Sequence, residues 1–177
     1  MLLGIKTQRL RMLLEHYLEA RGDRRMPSRR DIDALRLGPA LPIIWISEYE
    51  PAAATFRYRL AGEEVNEIWG FSVAGHLLSD FVQPERFGPT NDSFLKVLRD
   101  EAALIASGAV YRCSGRIGIG ERLVLPLASD GETADGLIGA THREPPVDLD
   151  LASTSEQVVS YVPVDELDGM VRGAVGD

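Results

Sequence analysis

The amino-acid sequence predicts a single α+β domain built on a five-stranded antiparallel sheet, with helices on one face and an amphipathic helix in front. Two observations predict this class. Segments with the two-residue alternation of strands occur twice near residue 50 and three times after residue 110, and segments with helical spacing lie before and between them. Strands and helices segregated in this way are typical of antiparallel sheets covered by helices. The 177 residues, 45% of them hydrophobic, suffice for one buried core.

The net charge argues against two classes of partner. The chain carries a formal charge of -8, whereas general binding to nucleic acid or to an anionic membrane needs a basic surface. The charge is also uneven: residues 1–30 contain eight Lys or Arg and three Asp or Glu, while residues 130–170 contain ten acids and one Arg. A basic head and an acidic tail of this kind can pair within one chain or between two chains.

The cysteine and histidine content argues against several kinds of site. Cys113 is the only cysteine, so no internal disulfide can form, and no cysteine or histidine spacing fits a zinc site. His16, His76 and His142 lie in three different predicted elements, and no nucleophile motif accompanies them. We therefore expect no metal, no catalytic residues and no enzymatic activity.

The sequence also predicts a compartment. No apolar run approaches the length of about 18 residues that a membrane span needs. Lys6, Arg9 and Arg11 interrupt the apolar start too early for a signal peptide. A single cysteine suits a reducing compartment, so we expect a cytoplasmic protein without a membrane partner.

The first segment is predicted to form an amphipathic helix. Its apolar residues recur on one helix face: Leu10, Leu13, Leu14, Tyr17 and Leu18. This face has two alternative uses. It can cover the sheet of its own domain, or it can form a helix–helix contact between two chains, in which case these five residues are the dimer interface.

A short helix and two strands are predicted next. Ser28 and Asp31 have the spacing of a capping box. The segment PIIWISEYE, residues 42–50, is apolar on both faces, as in a central strand. The segment FRYRLAG, residues 56–62, alternates between apolar and charged residues and predicts a strand with one face towards water.

The second half is predicted to contain helices and then strands. Short helices are expected within residues 62–82 and a long helix over 91–108. Residues 111–127 are expected to form a hairpin that turns at GER, residues 120–122, and ADGLIGATH supplies a third strand. The resulting division is an N-terminal helix over 1–25, a domain over 26–144, and an acidic linker and tail over 145–177, in which QVVSYVPV has the spacing of a docking strand.

An arginine cluster is the most concentrated charge in the sequence. Five guanidinium groups lie within ten residues: Arg21, Arg24, Arg25, Arg29 and Arg30. They are expected to be solvated or to pair with acids such as those of the tail. The alternative is an anion or nucleotide contact made by Arg24, Arg25 and Arg29.

Several motifs together resemble PAS domains. These are MPSRRDID at residues 26–33 followed by LP at 41–42, the FRYRLAG strand with the glycines that follow it, and LVLPL-x-x-DG at 123–131. In particular, the chain resembles a bacterial PAS-like family, formerly a domain of unknown function, with an N-terminal helix and this entry motif. The resemblance covers roughly residues 8–142 and implies a PAS-like sheet with a ligand pocket.

The resemblance implies that residues 62–82 form a wall of that pocket. The candidate pocket residues lie on the predicted strands and short helices: Trp45, Tyr58, Trp69, Phe71, His76, Phe81, Tyr111, Cys113 and Leu125. The alternative is that these side chains fill a dry core.

The resemblance also bears on the cofactor. Haem-binding PAS domains place an axial histidine on the long connecting helix, and flavin photosensors place a reactive cysteine in the short-helix region. Residues 88–107 contain no histidine and residues 62–87 contain no cysteine, which argues against haem and against a photoreactive flavin. A small organic ligand, or no ligand, stays open.

By resemblance, the expected function is that of a sensory or adaptor module in bacterial signal transduction. The residues after 145 are too few for an output domain, so the signal is expected to pass to a protein partner or through a homodimer. The alternatives are a structural interaction protein with a self-filled core, a nucleotide-binding regulator that uses the arginine cluster, and a small enzyme with His76 beside a carboxylate.

Overall fold

The computed structural model describes residues 4–113, 116–145 and 156–172, without the side chains of residues 113, 116 and 170–172. Within these ranges the chain forms one antiparallel sheet with the strand order β2-β1-β5-β4-β3-β6. The strands are β1 (Ile44–Glu50), β2 (Thr55–Ala61), β3 (Ala102–Cys113), β4 (Arg116–Leu127), β5 (Gly136–Arg143) and β6 (Val158–Pro163). The α+β class and the antiparallel sheet are confirmed, with six strands instead of five.

Helices cover both faces of this sheet. They are α1 (Gln8–Arg21), α2 (Ala34–Leu37), α3 (Glu63–Trp69), α4 (Leu78–Phe81), α5 (Pro84–Asp100) and α6 (Leu167–Arg172). Short 3-10 turns lie at Arg29–Asp31, Gly38–Ile43, Pro51–Ala53 and Val164–Glu166. The core has two parts, one between the sheet and α1 and one between the sheet and α3 to α5. None of the described helices is long and apolar enough to cross a membrane.

The apolar face of α1 lies against the sheet of its own chain. Leu10, Leu13, Leu14 and Tyr17 are fully buried, and Leu18 packs at the edge of the same cluster. The Tyr17 hydroxyl donates a 2.8 Å hydrogen bond to the carbonyl of Pro126. Assigning Leu10, Leu13, Leu14 and Tyr17 to a dimer interface is therefore wrong for this fold, because the sheet already covers them, whereas Leu18 is only partly buried.

The long internal helix begins and ends earlier than predicted. It is α5, and it ends where Glu101 adopts a left-handed conformation with φ of 46°. Residues 102–108 then form the first part of β3, which pairs with β4 on one side and β6 on the other. The prediction failed because an alternation of alanine with leucine and isoleucine fits a buried strand as well as a helix.

The hairpin in the second half is longer than predicted. Residues 120–122, expected to be its turn, lie inside β4 and pair with Arg143, His142 and Thr141 of β5. The pairing of β3 with β4 continues instead as far as Cys113 and Arg116. Glycines that read as turn signals in the sequence are strand residues here.

The C-terminal segment belongs to the folded unit. The docking strand expected at QVVSYVPV is confirmed as β6, which pairs with β3. The residues after it are not a free tail, because Val164 and Leu167 are fully buried against the α1 side of the sheet. Arg21 of α1 donates to the Val164 carbonyl at 3.0 Å and forms an ion pair with Asp168. The basic head and the acidic tail thus pair within one chain.

Candidate functional site

A cavity of about 480 Å³ lies between the inner face of the sheet and helices α3 to α5. Its wall is formed by aromatic and aliphatic side chains with a few polar groups. The sheet contributes Trp45, Tyr58, Leu104, Ala109, Val110, Tyr111, Arg112, Arg122 and Val159; the helices and loops contribute Val65, Trp69, Leu78, Phe81, Val82, Arg86, Pro89, Thr90, Ser93, Phe94, Glu156 and Gln157. The volume is that of ordinary small-molecule sites, which are about 300–1,000 Å³.

The aromatic wall is one connected set of rings. Trp45 of β1 packs on Tyr58 of β2, with ring centroids 5.3 Å apart, and Tyr58 meets Phe81 of α4 edge to face at 5.1 Å. Phe81 in turn contacts Trp69 of α3 at 4.9 Å, and Trp69 lies 6.1 Å from Tyr111 of β3. Because these rings come from five different elements, they fix the spacing between the sheet and the short helices.

Arg122 is the polar group that the sheet positions most firmly. Its Nε donates to the Thr141 hydroxyl at 3.0 Å, its Nη2 donates to the Val110 carbonyl, and its guanidinium lies 5.0 Å from the centre of the Tyr111 ring. Arg122 shares the inner face of β4 with Val124, whereas Leu123 belongs to the α1 side. The strand therefore directs this guanidinium to the cavity side of the sheet.

Tyr58 brings a hydroxyl into the same wall. The residue is 5% exposed, and its hydroxyl has no hydrogen-bond partner among the residues that the structure describes. Burial raises the pKa of Tyr58 well above its ordinary value, which outweighs the opposite effect of the positive charge on Arg122. The hydroxyl is thus protonated at physiological pH and can donate to a ligand.

The C-terminal segment closes one side of the cavity. Glu156, Gln157 and Val159 line it, and β6 continues along β3 next to them. The same segment then reaches the opposite face of the sheet through Val164 and Leu167. One short stretch of chain therefore contacts both the cavity and the α1 side.

The predicted pocket residues separate into three groups. Trp45, Tyr58, Trp69, Phe81 and Tyr111 line the cavity. Leu125 does not, because it points to the opposite face of the sheet, where it is fully buried with the α1 cluster. The side chain of Cys113 lies outside the described residues.

Phe71 and His76 are also placed outside the cavity. Their rings meet edge to face with centroids 5.2 Å apart, Phe71 is 41% exposed, and the His76 side chain is 49% exposed. His76 Nδ1 is 3.8 Å from an Asp80 carboxylate oxygen, which is also half-exposed. These two predicted pocket residues are therefore wrong, because the loop before α4 carries them to the surface.

Three arginines were missed as pocket residues: Arg86, Arg112 and Arg122. A signal for Arg122 exists in the sequence. Leu123, Leu125 and Leu127 mark one face of β4, so the residues between them must face the other way. Because helices cover both faces, that second face is the cavity wall and not solvent.

The arginine cluster is occupied by carboxylates of the same chain. Arg24 is 2.8 Å from Asp31, Arg25 is 2.8 Å from Glu101, and Arg29 is 3.4 Å from Glu48. The anion contact assigned to Arg24, Arg25 and Arg29 is therefore corrected, because each guanidinium already has an anionic partner.

The predicted capping box is part of this arrangement. The Ser28 backbone N–H and hydroxyl both donate to the Asp31 carboxylate at 2.7 Å, which confirms the pairing read from the sequence. The hydrogen bonds from Arg24 and Ser28 lower the pKa of Asp31 to about 2.

Within the described ranges, no three His, Cys, Asp or Glu side chains are grouped as metal ligands.

Three solved structures have a similar backbone. VqmA bound to DPO aligns with a TM-score of 0.49 at 12% sequence identity, over 63% of this chain and 56% of that chain. A Rhodobacter sphaeroides LOV protein aligns with a TM-score of 0.45 at 11% identity, over 61% and 62%. A light-oxygen-voltage domain with a flavin analogue aligns with a TM-score of 0.44 at 17% identity, over 66% and 85%. This chain thus spans less than two thirds of the first two structures.

The comparison with curated proteins gave no match. The sequence profile described as a PAS domain matches residues 5–142, which is most of the chain. The match spans α1 to α5 and nearly all of β1 to β5. It therefore includes every element that lines the cavity except the C-terminal segment. The chain therefore belongs to the PAS domain family.

Proposed function

We propose that this chain is a non-enzymatic sensory module that binds a small organic ligand in the cavity and signals the bound state to a protein partner. The observation that supports it is the cavity itself. About 480 Å³ lies between the sheet and α3 to α5, with aromatic walls and fixed hydrogen-bond donors. A self-filled structural core would have placed side chains in that space, since protein interiors are close-packed.

Nucleotide binding and acid–base catalysis have less support from the positions of the charged side chains. Nucleotide binding by the arginine cluster would require guanidiniums that are free of carboxylates, and Arg24, Arg25 and Arg29 are paired. An enzyme that used His76 with Asp80 would need a substrate site beside them, and both side chains are half-exposed outside the cavity. We propose that the ligand is neither haem nor a photoreactive flavin, because the described lining contains no histidine and no cysteine.

The route of the signal is proposed from the C-terminal segment. Residues 156, 157 and 159 line the cavity, while Val164 and Leu167 pack with α1 on the far side of the sheet. A ligand that displaces the first part of this segment changes how firmly the second part is held. The protein partner, or a second copy of the chain, is proposed to respond to that change.

Native mass spectrometry of the freshly purified protein tests ligand binding. We expect an excess mass per chain that disappears on denaturation. The Thr90→Phe variant should lose this mass, because a larger side chain on α5 occupies the cavity that Thr90 lines. Ser79→Phe, on the exposed side of α4, is the matched control and should keep it.

A second readout keeps the test decisive when the ligand is lost during purification. The chain has two tryptophans, Trp45 and Trp69, and both line the cavity. Entry of a ligand must therefore change the intrinsic fluorescence. A bare native mass together with unchanged fluorescence across a panel of small aromatic molecules would contradict the proposal.

A further inference from the structure

The charged groups of the cavity wall are mostly positive. Among the described lining residues they are three arginines, Arg86, Arg112 and Arg122, and one acid, Glu156. Glu156 and Arg86 are exposed, whereas Arg112 and Arg122 are partly buried on the sheet. The partly buried charges of the described lining are therefore both positive.

Arg122 is held in place, and no carboxylate of the described residues pairs with it. Two of its nitrogens bond to the neutral oxygens of Thr141 and Val110, and Tyr111 supports the flat face of its guanidinium. None of the ion pairs found among the described residues includes Arg122. A fixed guanidinium that has no anionic partner among the described residues and lines a cavity is able to bind an anionic group of a ligand.

Tyr58 adds a second donor to the wall of the same cavity. The residue is 5% exposed and lines the cavity, and its hydroxyl has no hydrogen-bond partner among the described residues. Two donors on the wall of one cavity, one from β2 and one from β4, fit a group that offers two acceptor oxygens.

We propose that the ligand carries a carboxylate on a flat apolar body, with the carboxylate bound by Arg122 and Tyr58 and the body held among Trp45, Trp69 and Phe81. A carboxylate matches the planar guanidinium in shape and charge and accepts the hydrogen bond of the phenol. The aromatic rings favour a flat body, because their faces stack on it with little loss of side-chain freedom. This inference rests on the proposed function, since it names the ligand class of the same cavity.

A matched pair of probes tests the charge requirement. 2-Naphthoate and 2-naphthamide have the same ring system and differ in the charge of one group. Isothermal titration calorimetry of the full chain should show about tenfold tighter binding of the naphthoate, the difference expected of a charge-assisted contact. Arg122→Gln should bring the two dissociation constants to within about threefold of each other.

Two further variants make the result specific. Tyr58→Phe should weaken naphthoate binding more than naphthamide binding, and because the hydroxyl has no described partner, this variant should fold even where Arg122→Gln does not. Arg36→Gln removes an exposed arginine that pairs with Glu19 outside the cavity. That control should leave the preference for the naphthoate unchanged.

The outcomes separate the inference from the proposed function. Three results would overturn the inference that Arg122 and Tyr58 bind a ligand carboxylate. They are equal affinity of the wild-type protein for the two probes, binding of neither probe, and a preference for the naphthoate that survives both Arg122→Gln and Tyr58→Phe. In each of these cases a neutral molecule retained in the native mass spectrum leaves the proposed function standing. A chain that binds neither probe and retains no molecule overturns both.

Discussion

Trp45 on β1 pairs with Gly139 on β5, and its indole lies directly over that glycine. A methyl group on Gly139 would overlap the Cζ2 and Cε2 atoms of the ring. The indole seated in this way packs against Tyr58 and Phe94, with centroids 5.3 and 5.2 Å away. One glycine on the sheet therefore sets the position of a main wall of the cavity.

Gly139→Ala is expected to destabilise the protein and to disturb the cavity. The added methyl group must displace Trp45 or the strand, which costs about 1–3 kcal/mol, as overpacking of a core does. Urea unfolding monitored by tryptophan fluorescence measures the loss. The same variant should weaken 2-naphthoate binding, because Trp45 leaves its place in the wall.

Gly88→Ala is the matched control for this change. Gly88 lies inside α5, and apart from its chain neighbours and the backbone of the helix itself, a methyl group there meets no atom within 4 Å. Alanine is the better helix former, but Pro89 follows and disfavours a Cβ at the preceding helical position, so these effects oppose each other and the control should stay within about 1 kcal/mol of wild type. Equal losses in both variants would mean that the indole is not seated on Gly139.

Much of the fold could be predicted from local patterns. The apolar face of α1, the strands at residues 44–50 and 55–61, and the capping box of Ser28 and Asp31 each follow from the spacing of a few neighbouring residues. The start of β3 and the hairpin with β4 could not be predicted in this way. Their strand state depends on pairing with β5 and β6, which are distant in the sequence.

The candidate site was predictable only in part for a similar reason. Large aromatic residues on strands and short helices indicate a wall, and five of those named line the cavity. Arg122 looks like a solvent-facing strand residue in the sequence. Its inward position depends on α3 to α5 covering the second face of the sheet, which no local pattern reports.

Arg21→Gln is expected to loosen the C-terminal segment alone. Arg21 is 7% exposed, and it joins α1 to the Val164 carbonyl and to Asp168. Loss of a charged hydrogen bond costs about 1.5–3 kcal/mol, so the amides of β6 should exchange with solvent at least about tenfold faster. Amides of β1 should keep their rates, as hydrogen exchange resolved by peptide will show.

Arg36→Gln serves as the comparison for that experiment. Its ion pair with Glu19 is exposed on both sides, and such pairs contribute about 0–1 kcal/mol. We expect no change in β6. Equal acceleration in β1 and β6 of the Arg21 variant would show that the C-terminal segment opens only with the whole domain.

Glu121 is expected to make stability depend on acidity in the carboxylate range. Its buried side chain accepts the backbone N–H groups of Lys6 and Thr7, the latter at 2.8 Å, and the Thr7 hydroxyl at 2.5 Å. Burial acts to raise the pKa of Glu121, but these hydrogen bonds outweigh it, so the net pKa is lowered. The contribution is therefore complete above the ordinary value of about 4.3 and is lost as the pH falls through the lowered pKa.

Glu121→Gln measures this contribution. At about pH 7 the variant should lose roughly 1.5–3 kcal/mol of unfolding free energy, and the difference from wild type should shrink towards about pH 3 as the carboxylate of the wild type is protonated. Glu67→Gln, on the exposed face of α3, should stay within about 0.5 kcal/mol of wild type. A Glu121 difference that does not depend on pH would show that the charge is not what holds the start of α1.

His16 is expected to add a second pH dependence nearer neutrality. The residue is 6% exposed, and its Nε2 accepts the backbone N–H of Asp33 at 2.9 Å, which requires the neutral ring. Burial, and then the charge of Arg36, lower the pKa of His16 against the opposite effect of Glu19 and Asp33. A lowered pKa means that the stabilisation is complete above the ordinary value of about 6.5 and is lost as the pH falls through the folded-state value. Unfolding free energies should therefore decline between about pH 7.5 and pH 5 in the wild type, and decline less in His16→Gln, which keeps an acceptor without a titrating ring. The control His76→Gln, at a half-exposed position, should decline as the wild type does. Identical slopes in all three proteins would place the titrating group elsewhere.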